Sequence, residues 1–193
     1  MTVFENSPLN HVLMQGAPGY NWQPIVPVDQ HPVRYAYITN TTDDVRLWTV
    51  NSNNSITTSG FYLPGELYKT VIKDENWTTS SGYLNTTEEY KDLQGNVVLK
   101  RSYVIVNATV TPVEIYYVYD DLGLLRYILP PEAIKNKGTE TTLDPSSPLV
   151  MDLCYYYQYD SRERMIIKKL PGVEPVYMRS EERRVGKECR SRW

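Results

Sequence analysis

The chain has 193 residues and a formal net charge of −3, with 22% charged and 12% aromatic residues. This length fits one domain or part of a larger one, and the composition excludes a disordered chain. The acidic balance argues against nucleic-acid binding, because an acidic surface does not concentrate phosphate. No apolar run approaches the roughly 18 residues needed to cross a bilayer, so no membrane span is expected.

Tyrosine dominates the aromatic residues, with 17 Tyr against 2 Phe. Tyr and Thr favour pleated surfaces on which one end of the side chain is buried and the hydroxyl reaches water. The composition therefore predicts a mainly all-β fold with large solvated sheet faces.

The pattern along the chain predicts short strands separated by loops. Residues 51–55 are expected to form a loop, because Asn and Ser side chains compete for backbone hydrogen bonds. Short helices are predicted at residues 130–138, where Pro precedes an acid and Gly ends the segment, and near residues 148–152. Strands are predicted at residues 34–38, 45–50, 67–73, 96–106, 114–120, 124–129, 154–160 and 164–170.

A hairpin pattern is repeated in the second half of the chain. Residues 117–130 and 157–172 both contain Tyr-x-Tyr-Asp, a turn, an apolar strand and Pro. Residues 90–99 are a weaker copy in which Tyr is out of phase. The Asp is expected to open a tight turn by accepting backbone N–H groups, and Gly to close it with a positive φ.

Two further expectations follow from the repeated hairpin. The paired tyrosines lie on one sheet face, and a single hairpin cannot bury that face, so neighbouring strands are expected to stack on it. Glu163 stands where the turn glycine would be, so this last turn is expected to adopt another geometry.

The order Tyr-x-Tyr-Asp-x-x-Gly followed by an apolar strand resembles the YD repeat of bacterial RHS (rearrangement hotspot) proteins. Residues 67–77, 86–92 and 95–101 resemble a domain of unknown function that lies N-terminal to the RHS core. Residues 2–10 resemble the end of a preceding repeat. The resemblance covers residues 2–178.

The resemblance implies a division of the chain into segments. Residues 1–19 end a preceding YD-like repeat, residues 20–110 form the β-rich domain of unknown function, and residues 111–178 form YD-repeat hairpins. These antiparallel hairpins are expected to form part of a curved sheet or shell. Nothing in the chain matches the family's autoproteolytic aspartate centre, so no catalytic residue is carried over.

The function implied by the resemblance is structural and non-catalytic. The chain would be a fragment of a large protein whose β-shell encloses a C-terminal toxin or effector. Its partners would be the remaining repeats of the same full-length chain and that cargo. The full-length protein is expected to be secreted or at the cell surface, and no export signal is recognisable in this sequence.

Residues 179–193, RSEERRVGKECRSRW, differ in composition from the rest of the chain. They contain six Lys or Arg and three Glu, so residues 1–178 carry a net charge of −6. A basic segment suggests a phosphate-binding arm, but this one resembles a translated sequencing adapter joined in frame. It is therefore expected to lie outside the fold, and the coding sequence to continue differently after Met178.

Residues with catalytic or metal-binding chemistry are few. The only histidines, His11 and His31, have no Cys or carboxylate at ligand spacing and are expected to be solvated or hydrogen-bonded. With Cys189 in the adapter-like segment, Cys154 has no partner and is expected to be a small buried hydrophobic residue. No phosphate loop, nucleophile elbow or dinucleotide fingerprint is present.

The carboxylates also have simple structural interpretations. Asp120, Asp121 and Asp144 could form a cluster, but Asp120 is better explained as a turn former. Glu88 and Glu89, with Asp92, are interpreted as the polar edge of a strand. We therefore predict that the chain is not an enzyme and has no catalytic, cofactor-binding or metal residues.

A carbohydrate-binding or adhesion module at the cell surface is the alternative function. Exposed tyrosines and Trp22, Trp48 and Trp77 could stack on sugar rings, although the same rings could fill the core. Five Asn-x-Ser/Thr sequons are attributed to the Asn- and Thr-rich composition, so no glycan is expected: Asn40, Asn53, Asn76, Asn85 and Asn107.

Overall fold

The computed structural model describes residues 1–24 and 31–178. It is mainly antiparallel β, with 45% strand and 9% helix, which confirms the all-β prediction. The adapter-like segment at residues 179–193 lies outside the described residues. The strands are β1 (Thr2–Phe4), β2 (Val12–Gln15), β3 (Val33–Thr39), β4 (Arg46–Val50), β5 (Ile56–Phe61), β6 (Tyr68–Lys73), β7 (Thr86–Lys91), β8 (Val97–Val106), β9 (Thr109–Tyr119), β10 (Leu125–Leu129), β11 (Thr142–Leu143), β12 (Tyr155–Tyr159), β13 (Met165–Lys169) and β14 (Val176–Tyr177).

Two short α-helices connect the later strands, as the sequence predicted. Helix α1 spans Pro131–Asn136 and begins with Pro, whose missing N–H costs nothing in a first turn. Helix α2 spans Pro148–Leu153, and the Ser147 side chain accepts a hydrogen bond from the Val150 N–H. Within residues 1–24 and 31–178, no helix has the length and apolar character needed to cross a membrane.

Eleven of the strands form one sheet in the order β1-β2-β3-β6-β7-β8-β9-β10-β12-β13-β14, in which all neighbours are antiparallel. This order is a meander interrupted twice. The chain leaves the large sheet between β3 and β6, where it forms β4 and β5. It leaves again between β10 and β12, where it forms α1, β11 and α2. The departing strands form a second sheet, β11-β5-β4. The large sheet is open and does not curl, so the expected curvature is not seen in the described residues.

The core lies between the central strands of the large sheet and a cover made of the small sheet and the two helices. The buried apolar residues of the large sheet and its loops are Leu67, Tyr90, Val98, Leu99, Tyr116, Val118, Tyr127, Leu129 and Tyr156. The cover contributes Val45, Trp48, Ile56, Ala133, Leu143, Val150 and Cys154. Exposed apolar residues at both ends of the sheet, such as Phe4 and Tyr177, lie outside this core.

The eight predicted strands correspond to β3, β4, β6, β8, β9, β10, β12 and β13. Strand β9 begins five residues earlier than expected, because Asn107 and Ala108 alone connect it to β8, both with positive φ. Buried and exposed residues do not alternate strictly at the start of β8. Val98 and Leu99 are both buried, since the register with β7 shifts there.

The large sheet runs through both positions at which the resemblance divides residues 1–178. Strand β9 spans the division at residue 110, and β1, β2 and β3 are consecutive across the division at residue 19. The assignment of these segments to separate domains stays a prediction.

Candidate functional site

The Asp120 turn has the geometry that the sequence predicted. Asp120 Oδ1 accepts hydrogen bonds from the backbone N–H groups of Leu122 at 3.1 Å and Leu124 at 2.9 Å. The Gly123 N–H donates to the Asp120 carbonyl at 2.9 Å, and Gly123 has a φ of 75°. This turn joins β9 to β10 and confirms Asp120 as a turn former.

The turn at Glu163 corrects one prediction. Glu163 has a φ of 60°, and Asp160 Oδ1 accepts from the N–H groups of Arg162 and Arg164, as in the Asp120 turn. The expectation of another geometry was wrong, because Glu163 itself adopts the left-handed conformation that Gly123 takes.

The weak copy also forms the complete turn. Asp92 Oδ1 accepts from the N–H groups of Gln94 at 3.0 Å and Asn96 at 2.8 Å, and Gly95 has a φ of 88°. Three hairpins of the large sheet therefore share one turn, in which an Asp carboxylate holds the backbone and the fourth residue is left-handed.

The tyrosine pairs do not form the buried face. In β9 the core residues are Tyr116 and Val118, whereas Tyr117 and Tyr119 of the repeat are half-buried on the opposite face. The out-of-phase Tyr90 occupies the core-facing position and is fully buried. The expectation that neighbours stack on the tyrosine pairs was wrong, because the cover packs on the other face.

A cleft of about 550 Å³ lies between the small sheet and two of the Asp turns. Trp48 and Tyr62 contribute from the small-sheet side, and Asp92 and Asp120 begin the two turns that line the cleft. We call it the aromatic groove. Its further polar side chains are Arg46, Gln94, Asn96 and Asp121.

The groups in the aromatic groove suit binding better than catalysis. Asp92 and Asp120 use Oδ1 to hold their turns, and Asp120 Oδ2 accepts from Arg126 at 3.1 Å. Burial, with a smaller contribution from the nearby charge of Asp92, raises the pKa of Tyr62 to about 12, so the phenol is neutral. Aromatic rings beside amides and carboxylates fit a neutral, hydroxylated ligand.

A buried ionic network connects the segment between β3 and β6 to the large sheet. Arg101 Nη1 contacts Asp44 Oδ1 at 2.7 Å, and Arg101 Nε donates to Glu114 at 2.8 Å. Glu88 accepts from the Tyr90 hydroxyl at 2.9 Å and pairs with Lys69 at 2.8 Å. We call this set the Arg101 network: Asp44, Lys69, Glu88, Tyr90, Arg101, Tyr103 and Glu114.

The electrostatics of the Arg101 network favour its charged form. Burial alone would raise the pKa of Asp44, but the Arg101 guanidinium donates to this carboxylate and brings its pKa below the usual value. Arg101 also donates to the Asp44 carbonyl at 2.7 Å. The network therefore fixes the loop before β4 to the large sheet.

The interpretation of Glu88, Glu89 and Asp92 as a polar strand edge was wrong. Strand β7 lies between β6 and β8, and Glu88 is only 2% exposed because it faces the Arg101 network. Glu89 is on the opposite face and pairs with Lys91 and Lys100. Asp92 begins a turn.

The histidines and the cysteine have the environments expected from the sequence. His31 Nδ1 is 2.8 Å from the Glu75 carbonyl, and His11 contacts Glu5 at 3.1 Å while stacking on Tyr37. Cys154 is fully buried, and burial raises the pKa of its thiol to about 12.

The suspected carboxylate cluster is not supported by the local contacts. Asp144 Oδ1 accepts from the Ser146 N–H in a turn of its own, at 2.9 Å. Among the described residues, no group of three His, Cys, Asp or Glu side chains is placed to hold a metal ion.

The three tryptophans have different environments. Trp48 is buried in the core, and its indole N–H has no hydrogen-bond partner among the described residues. The Lys73 ammonium lies 3.8 Å from the centroid of the Trp77 ring. Trp22, the most exposed of the three, lies 5.8 Å from the His31 ring. All three rings are therefore already in contact with the protein's own groups.

In one of the five sequons, the asparagine side chain is already hydrogen-bonded within the fold. Asn40 is buried, donates to the Leu63 carbonyl and accepts from the Leu67 N–H, both at 2.8 Å. Glycan attachment there would remove the amide donor from a closed site, so Asn40 is unsuitable as an acceptor.

Comparison of the chain with protein-family models, with curated proteins and with solved structures gave no match.

Proposed function

We propose that the chain is a non-catalytic structural segment of a large RHS/YD-repeat protein, in which it forms part of a β-shell. The observation that carries this proposal is the shared Asp turn of three hairpins in one antiparallel sheet. A turn used three times is the sign of a stacked repeat, in which each hairpin completes its neighbour.

The outer strands of the sheet support the same proposal. Within residues 1–24 and 31–178, strands β1 and β14 each have one hydrogen-bonded neighbour, and Phe4, Val176 and Tyr177 beside these edges are more than half exposed. Further strands of the same full-length chain would pair with these edges and cover the apolar side chains. The shell would hold a C-terminal toxin or effector, in a secreted or surface protein without nucleic-acid partners.

Hydrogen exchange tests the structural proposal. Long-read sequencing of source DNA across the codons for Tyr177 and Met178 first defines the longer reading frame. Amides of β1 and β14 should then exchange rapidly in the 193-residue chain and slowly in the longer protein. Amides of β8 serve as the control and should be protected in both. Equal exchange of the edge amides in both proteins, or a frame that stops after Trp193, would refute a continuing sheet.

Carbohydrate binding is the second candidate, and the aromatic groove is the observation that favours it. Its volume and its mixture of rings, amides and carboxylates fit a short oligosaccharide. A glycan array probed with the whole chain tests this function. Gln94→Ala, at an exposed groove residue, should abolish hits, whereas Gln15→Ala, at an exposed position in β2, should keep them. No hits with the parent chain would remove this candidate.

A further inference from the structure

A second groove, of about 460 Å³, lies where β5 meets the segment after α1. Its described lining combines two cations, Arg46 and Lys137, with four hydroxyl side chains and no carboxylate. The hydroxyls belong to Thr58, Ser59, Thr139 and Thr141. We call it the cationic groove.

Neither cation of the cationic groove is neutralised within the described chain. Arg46 lies over the Phe61 ring at 5.1 Å, and neither it nor Lys137 forms an ion pair with a described carboxylate. Lys137 is 7% exposed and donates to the Glu140 carbonyl at 3.0 Å. The ammonium also lies 5.7 Å from the centroid of the Trp48 ring, and these neutral partners leave it without a counter-charge.

The two positive charges also repel each other. Burial lowers the pKa of Lys137, the charge of Arg46 lowers it further, and Glu140 acts in the opposite direction. An anion placed between Arg46 and Lys137 would relieve this repulsion and favour the protonated lysine.

Thr58 provides a second, independent observation. It is 5% exposed and lines the cationic groove, yet its hydroxyl has no hydrogen-bond partner among the described residues. Its backbone N–H is satisfied by the Thr141 carbonyl at 2.8 Å, so the unpaired group is the side chain alone. Buried hydroxyls normally have a hydrogen-bond partner, and an acceptor bound in the groove would provide one for Thr58.

We propose that the cationic groove binds a tetrahedral oxyanion, a phosphate or sulfate group carried as a monoester. Arg46 offers a planar fork of N–H donors, Lys137 offers a compact charge, and the threonine and serine hydroxyls offer further donors. An anion with several acceptor oxygens uses such a surrounding set of donors more fully than a planar carboxylate does. This site is separate from the role in a shell, and neither depends on the other.

Calorimetric titration of the whole chain with inorganic phosphate, and separately with sulfate, tests the proposal. We expect saturable binding at one site, weakened roughly tenfold by Arg46→Gln, which removes a charge-assisted contact. Arg164→Gln removes an equal charge from the exposed β12–β13 turn and should leave the affinity unchanged. Equal weakening by the two variants, or no saturable binding, would overturn the site.

Thr58→Val separates anion binding from folding, because valine keeps the shape of threonine and removes the unpaired hydroxyl. We expect this variant to melt no lower than the parent and to bind phosphate more weakly. Unchanged affinity would contradict the assigned donor.

Competition with esters then identifies the source of the anion. Glucose 6-phosphate and glucose 6-sulfate should each displace the inorganic ion if the groove accepts a monoester, and the stronger competitor identifies the group. Failure of both esters to compete would refute the monoester.

Discussion

The left-handed conformation of Glu163 leads to a substitution that should stabilise the protein. A non-glycine residue in this conformation costs about 1–2 kcal/mol, and glycine avoids that cost. Glycine also has more freedom in the unfolded chain, which costs about 0.5–1 kcal/mol. Because the Glu163 side chain is exposed, little else changes. Glu163→Gly should therefore raise the free energy of unfolding by about 0.5–1 kcal/mol.

The reverse change at the equivalent turn isolates the backbone contribution. A Cβ added at Gly123 meets nothing within 4 Å, so Gly123→Ala introduces only the strain of its φ of 75°. We expect this variant to lose about 1 kcal/mol. Gly60→Ala is the matched control, because its added Cβ is equally free and Gly60 lacks a positive φ. This variant should be neutral or more stable.

Urea unfolding followed by circular dichroism measures all three variants, with midpoints compared at equal slope. The reasoning requires opposite signs for Glu163→Gly and Gly123→Ala. A lower midpoint for Glu163→Gly, or an unchanged midpoint for Gly123→Ala, would show that the two turns do not share a left-handed fourth residue.

Three further predictions concern buried groups. Glu88→Gln should destabilise by about 3 kcal/mol in urea unfolding, because it leaves the largely buried Lys69 ammonium without its ion-pair partner, whereas Arg101 keeps Asp44 and Glu114. Glu89→Gln, at a more exposed pair, should cost less than about 1 kcal/mol. The pKa of Asp44 is lower in the folded protein, so its carboxylate contributes stability above the ordinary carboxyl pKa, near 4. This stability is lost as pH falls through the lower folded pKa. Asp44→Asn should therefore make the free energy of unfolding less dependent on pH in the acid range. In Cys189→Ser, Cys154 should react with a thiol reagent only as fast as the protein unfolds, and rapid native labelling would contradict its burial.

The turns were predictable because their interactions are local. Asp120 bonds to groups two and four residues away, so the sequence pattern contains every partner. The error at Glu163 came from treating glycine as necessary for a positive φ, when the Asp160 side chain and the strand pairing hold the backbone there. Local sequence indicates where such a turn lies, and the surrounding hydrogen bonds decide whether a non-glycine residue is tolerated.

The buried face of the sheet could not be predicted, because the residues that cover it come from segments that are distant in the sequence. The tyrosine pairs and the residues between them alternate equally well, and only the packing of the cover, such as Trp48 against Tyr116, decides which face is core. A period-two pattern defines two faces without saying which is covered.

The Arg101 network was missed for a similar reason. Asp44 and Arg101 are 57 residues apart, and no short motif connects them. A signal does exist in the strand register, where Glu88, Arg101 and Glu114 lie directly opposite one another on three neighbouring strands. Alternating charge across adjacent strands favours that pairing, but it becomes visible only after the strands have been aligned.

Both proposed binding grooves border the small sheet, and the aromatic groove is also lined by two of the repeated Asp turns. Arg46 lines both grooves, so Arg46→Gln alone cannot distinguish their ligands. Gln94 lines only the aromatic groove and Thr58 only the cationic groove. A ligand whose affinity falls with Arg46→Gln and Gln94→Ala, but not with Thr58→Val, therefore occupies the aromatic groove. The opposite pattern places it in the cationic groove, and sensitivity to all three would mean that one ligand spans both.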